Sequence, residues 1–187
     1  AATGSLSDQL LREGSDRRDD EYGGSAENRV RFLREVVAAV VDAIGADRVG
    51  VRLSPTGQFN DMADSDPATT FTTAVEALNT FDLAYLHMVE EFPGVEGIEN
   101  ADAVLAAVRQ TWDGFYVANG GYSAERAAAA VVDGHADAVA IGRDYIANPD
   151  LPERIRADAP LNEGDQATYY GGGAEGYTDY PALQPAE

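Results

Sequence analysis

Arg52, His87, the Asn119-Gly120-Gly121 triplet and the Gly142-Arg143 pair are the residues whose types and places suit chemistry, because each falls where a short β-rich run gives out. In barrel and open α/β folds alike, ligands bind at that C-terminal end of the strands. Gly120-Gly121 and Gly142-Arg143 each lead straight into a helical pattern. Backbone without side chains lets an anion approach N–H groups, a helix N-terminus adds positive potential, and an arginine offers a bidentate fork, so the two turns suit a phosphate. The alternative is local: the glycines permit tight turns and Arg143 pairs with an acid such as Asp144. Arg52 lies in the apolar run VGVRLSP, where a buried guanidinium needs a receiver, either an anionic or electron-rich ligand or an internal carboxylate.

Other patterns carry less. Gly171, Gly173 and Gly176 fit G-x-G-x-x-G but open no helix, so the dinucleotide reading fails its context. His87 and His135 are the only histidines and no cysteine accompanies them, which leaves no metal-ligand spacing. His87 is therefore expected to be a hydrogen-bonded histidine at a strand end. Neither a G-x-S-x-G nor a Walker pattern occurs.

The elements that must position these residues alternate. Val30, Leu33, Val37, Val40, Val41 and Ile44 recur at helical spacing between Ser25 and Gly45. Helical patterns follow at 67–80, 101–110, 124–132 and 149–157, and strands at 48–53, 83–88, 115–118 and 138–141. Such alternation predicts an α/β fold of parallel (β/α) units. Residues 1–24 read as an irregular lead-in, 25–160 as four (β/α) units, and 161–187 as an extended tail rich in Gly and Tyr that packs on them.

The composition excludes several classes of function. The 187 residues include 33 Asp+Glu against 13 basic residues, all arginine, for a formal net charge of −20. Nucleic acid needs a cationic footprint that this chain lacks. An acid-rich, lysine-free surface matches the proteins of salt-in halophiles, where a Debye length of about 3 Å at molar salt removes self-repulsion. Apolar runs such as Val36–Val41 fall far short of the roughly 20 residues of a membrane span. No charged-then-apolar leader opens the sequence, so the expectation is a cytoplasmic protein without a membrane partner.

Longer motifs add a resemblance. DEYGGSAENRVRFLREVV (20–37), DRVGVRLSP (47–55), AYLHM (84–88), AIGRDYIANPDL (140–151) and YYGGGAEGYTDYP (169–181) resemble the Old Yellow Enzyme family of FMN-dependent ene-reductases. That resemblance implies strands five to eight of a TIM-type barrel, a half-barrel, since a complete barrel takes about 250 residues. It implies FMN as cofactor, NAD(P)H as reductant and an activated alkene as hydride acceptor. It assigns Arg52, Gly120, Gly121, Gly142, Arg143 and Tyr169 to the cofactor, and Asn60 and Tyr170 to the substrate side. AATGSL (1–6) departs from the family pattern. Thr3 stands at the family's His/Asn position and Ser5 at that of its proton-donating tyrosine, so neither is a certain catalytic residue, and a serine hydroxyl is a much poorer acid than a phenol. Half a barrel exposes two strand edges and an inner face, to be closed by a second copy, by a separate N-terminal half, or by a rearranged sheet under the tail. The competing reading is a non-catalytic half-barrel or phosphate-binding module without turnover.

Overall fold

The computed structural model describes residues 1–92, 97–171 and 173–183; Gly172 and residues 184–187 of the expected tail lie outside them. The chain divides into two compact units, Ala1–Val139 and Ala140–Glu187.

In the first unit, helix α1 (Leu6–Gln9) precedes α2 (Ala26–Ile44), where the Ser25 hydroxyl caps the first turn by accepting from the Asn28 N–H. Val30, Leu33 and Val37 of α2 are buried, but Val36, Val40 and Ile44 are 39%, 39% and 51% exposed. The apolar stripe read from sequence is thus covered only along part of its length. Strand β1 (Gly50–Leu53) is followed by α3 (Pro67–Asn79), which starts at an Asp66 cap and a first-turn proline and buries Thr70, Phe71, Ala74, Val75 and Leu78 at helical spacing. Strand β2 (Tyr85–Val89), helix α4 (Ala101–Thr111), strand β3 (Tyr116–Asn119), helix α5 (Ala124–Val132) and strand β4 (Ala138–Ala140) complete the alternation.

The sheet runs β1-β2-β3-β4, with β1–β2 and β2–β3 parallel. This is the parallel α/β arrangement expected from the sequence. Side chains alternate with a period of two. Val51, Leu53, Leu86, Met88, Tyr116 and Ala118 enter the main core with Phe71, Val75, Leu78 and Val108. A fully buried side chain of this kind contributes about 1.5–3 kcal/mol. The opposite face carries Arg52, Tyr85, His87, Val117 and Asn119, none of them fully buried, and Val89, which is buried outside the main core.

The lead-in is ordered by two buried arginines. Arg12 donates to Asp8 Oδ1 (3.1 Å) and to the carbonyls of Gly57 (3.0 Å) and Ser54, while its guanidinium lies 5.0 Å from the Phe71 ring centre. Arg29 donates to the carbonyls of Leu11 (2.8 Å) and Gly24 and to Thr70 Oγ1 (2.8 Å).

In the second unit, the helix expected at 149–157 is α7 (Leu151–Arg156), and a short helix that the sequence did not announce, α6 (Arg143–Ala147), precedes it. They part at Asn148-Pro149, because proline disfavours helical backbone in the residue before it. Buried Asn148 accepts from the Asn162 N–H (2.7 Å), and Arg154 donates to the carbonyls of Pro160 (2.6 Å) and Pro181 (2.7 Å), so two side chains fasten the tail. No helix among the described residues is long and apolar enough to cross a membrane.

Candidate functional site

Arg52 and His87 are register partners on β1 and β2, and His87 is paired in turn with Val117 on β3. All three project from the face opposite the helices. Within the chain Arg52 is not received by a carboxylate: its Nη2 donates to the amide oxygen of Asn119 at 3.0 Å, and no carboxylate among the described residues pairs with it. Burial lowers the Arg52 pKa.

His87 departs from expectation. Its Nε2 is buried with no hydrogen-bond partner among the described residues, so it is not the satisfied strand-end histidine that the sequence suggested. Burial, and then the charge of Arg52, push its pKa down to about 4. The ring is therefore neutral at pH 7, beside a permanent cation.

Gly120 and Gly121 form a crowded turn. Gly120 has φ +126°, and a Cβ there would come within 2.5 Å of the Glu91 backbone. Gly121 has φ +58° and faces the Glu91 carboxylate, while Arg126 donates to the Gly121 carbonyl at 2.9 Å. Tight packing thus accounts for Gly120. In the second unit, Gly142 precedes α6 in open space and Arg143 is exposed. Arg143 makes no hydrogen bond or ion pair among the described residues, so the alternative pairing with Asp144 does not form. The two aromatic candidates differ. Tyr169 is half-buried and lines a cavity of about 390 Å³ with Tyr145, Ile146, Tyr177 and Tyr180, whereas Tyr170 is fully exposed.

The N-terminal segment is locked to the loop after β1. The Thr3 N–H donates to Ser54 Oγ (2.9 Å) and the Asn60 amide donates to the Thr3 carbonyl (2.9 Å). Asn60 is thus engaged with the segment that carries Thr3 and Ser5. Thr3 has φ +57°, a left-handed conformation in which a β-branched residue is strained. Ser5 is exposed, and its hydroxyl accepts from the Ala2 N–H at 3.2 Å.

One constellation escaped sequence reasoning. The Glu90 carboxylate accepts from Tyr116 (2.8 Å) and Tyr122 (2.6 Å) hydroxyls and meets His135 Nε2 at 2.8 Å. Burial together with that carboxylate raises both tyrosine pKa values. The signal was an acid directly after an apolar strand, hidden among 33 acids.

Comparisons with known proteins bear on the family and the fold. The model of the NADH:flavin oxidoreductase / NADH oxidase family matches residues 1–162. Rice (Oryza sativa subsp. japonica) 12-oxophytodienoate reductase 1 is 46% identical over 186 residues, covering 98% of this chain and 49% of the relative. Morphinone reductase in complex with tetrahydroNAD superposes with a TM-score of 0.88 at 44% identity, over 99% of this chain and 49% of that one. The old yellow enzyme homologue from Zymomonas mobilis gives a TM-score of 0.92 at 40% identity, over 98% and 52%. The chain spans about half the length of the relatives it matches. On the family match across residues 1–162 and these likenesses, this chain belongs to the NADH:flavin oxidoreductase / NADH oxidase family, which includes the old yellow enzymes.

Proposed function

We propose that this chain is the C-terminal (β/α) half of a TIM-type barrel and carries that half's share of an FMN site for hydride transfer from NAD(P)H to an activated alkene. The observation that carries the reading is Arg52: a half-buried cation on the open face of the sheet, received among the described residues by an amide oxygen alone, next to an imidazole nitrogen with no partner among them. The residues fit an electron-rich ring and a phosphate. On the first unit Arg52 would face the ring, Gly120 and Gly121 a phosphate and Asn60 the substrate; on the second, the resemblance assigns Gly142 and Arg143 to a phosphate, Tyr169 to the cofactor and Tyr170 to the substrate. FMN, when bound, supplies the hydride exchange.

What the chain's own residues contribute is positioning and charge. Arg52, held by Asn119 and in part desolvated, favours negative charge placed against it. Arg143, exposed and without a side-chain partner among the described residues, is available to an anion. Proton delivery is the weak point, because Ser5 offers an aliphatic hydroxyl that titrates far above neutrality. The open face and the exposed Val36, Val40 and Ile44 of α2 support a covering partner. That partner is the other (β/α) half of such a barrel, which relatives of twice this length have room for within one chain.

The test is an FMN titration of the folded chain in molar KCl, followed by flavin fluorescence, with light scattering on the same sample. Saturable binding that Arg143→Ala weakens about tenfold or more supports the reading, in line with the strength of a charge-assisted phosphate contact. Absence of binding by a folded sample overturns it. Thr3 and Ser5 favour a second reading, a half-barrel module that binds phosphate without turnover. That reading predicts competition by inorganic phosphate and no NAD(P)H oxidation on adding FMN.

A further inference from the structure

The open face holds three polar side chains at the C-terminal end of the sheet. Arg52 on β1 and His87 on β2 share one register level, and Asn119 lies two residues beyond Val117, the β3 partner of His87, on the same face. Since β2 lies between β1 and β3, the Arg52–Asn119 hydrogen bond of 3.0 Å crosses the strand that carries His87. The guanidinium has five N–H donors, and Asn119 takes one of them. His87 Nε2 is buried and neither gives nor takes a hydrogen bond among the described residues.

Buried polar atoms in folded proteins are paired, and an exception calls for a partner. His135 shows the ordinary outcome in the same unit: its Nε2 meets the Glu90 carboxylate at 2.8 Å. His87 faces a cation instead. Burial and the Arg52 charge keep its ring neutral, so Nε2 can present an N–H or a lone pair according to tautomer. A donor-only group and an adaptable neutral group at one level match a planar heterocycle whose edge alternates carbonyl oxygens with a ring N–H, as in a cyclic imide.

We propose that His87 is a ligand contact of the Arg52 site: its Nε2 pairs with the imide-type edge of the ring whose oxygen Arg52 receives. This deepens the FMN reading and rests on it. Arg52 supplies charge, Asn119 orients Arg52, and His87 adds a neutral hydrogen bond that distinguishes a ring edge from a simple anion.

The chain's two histidines make the test direct. Imidazole nitrogens are observed by long-range 1H–15N NMR, assigned with His87→Phe and His135→Phe, while FMN or inorganic phosphate is titrated in molar KCl. FMN shifts the His87 Nε2 resonance, phosphate does not, and His135 stays in place. His87→Phe weakens FMN about three- to tenfold, the value of one neutral hydrogen bond, while His87→Asn, which keeps a neutral polar group, loses less. Saturable FMN binding with an unmoved His87 resonance overturns this proposal and leaves the FMN reading standing. Failure of the folded wild-type chain to bind FMN overturns both. If His87→Phe does not fold, the wild-type resonance decides.

Discussion

The two faces of one sheet have opposite fates. On the helix side, Val51, Leu53, Leu86, Met88, Tyr116 and Ala118 are 7% exposed or less and join one core with Phe71, Val75 and Leu78. On the other side, Tyr85 is 41% exposed, as is the neighbouring Phe115 at 49%, and the polar trio Arg52, His87 and Asn119 satisfies itself only in part. Both faces come from the same alternation along the same strands. Stability is concentrated where side chains exclude water, and binding capacity where they leave polar groups for something else to satisfy.

The comparison predicts a large asymmetry. Leu86→Ala, a fully buried position, should cost about 2–5 kcal/mol through lost burial and a cavity, whereas Phe115→Ala on the open side should cost under about 1 kcal/mol in this chain. Urea denaturation in molar KCl measures both, and equal losses would erase the distinction. Buried charge forms the next test. Arg12→Met strands the Asp8 carboxylate, which is fully buried, and should cost about 3–5 kcal/mol. Adding Asp8→Asn should recover part of that loss.

Acid titration sharpens the open side. The His87 pKa is lowered in the fold from 6.5 to about 4, so the unfolded chain takes up the proton first. The contribution of His87 is therefore intact above about pH 6.5 and is lost as pH falls toward 4. Asp16 and Asp66, both held below the usual carboxylate range by hydrogen bonds from Arg18 and Thr69, act in the same direction at lower pH. Stability curves of wild type and His87→Phe should diverge between pH 6.5 and 4; parallel curves would contradict the buried, cation-facing imidazole. The smallest effect is at Thr3, where φ is +57°. Thr3→Asn should stabilise by about 1 kcal/mol, because asparagine tolerates the left-handed region, as a rise in the denaturation midpoint would show.

The alternation of elements was legible because each apolar run has its own period and its own punctuation, as Ser25 and Gly45 bracket α2. Helix α1 was not. Four residues carry no periodicity, and what holds them is Arg12 reaching loop carbonyls more than forty positions away. The candidate site was half legible. Arg52 announced itself as a charge in an apolar strand, but its Asn119 receiver depends on two side chains meeting across an intervening strand. The unsatisfied His87 nitrogen was illegible for the same reason: a missing partner has no sequence signature. Glu90 was lost in the acidic background, its three partners being spread over strand and loop positions from Tyr116 to His135.

Strand order in this sheet equals chain order, β1-β2-β3-β4. Each pairing therefore closes a loop of only one intervening helix, and the conformational search at every step is short. Such a sheet can assemble progressively, each new strand using its predecessor as template, with no distant segment required before the first pairs form. Backbone amides of β2 and β3, flanked by strands on both sides, become the most persistent part of the ladder, and fraying begins at the edges, β1 and β4. Arg52 sits on one of those edges, and the lifetime of the site is set by an end of the sheet rather than by its middle.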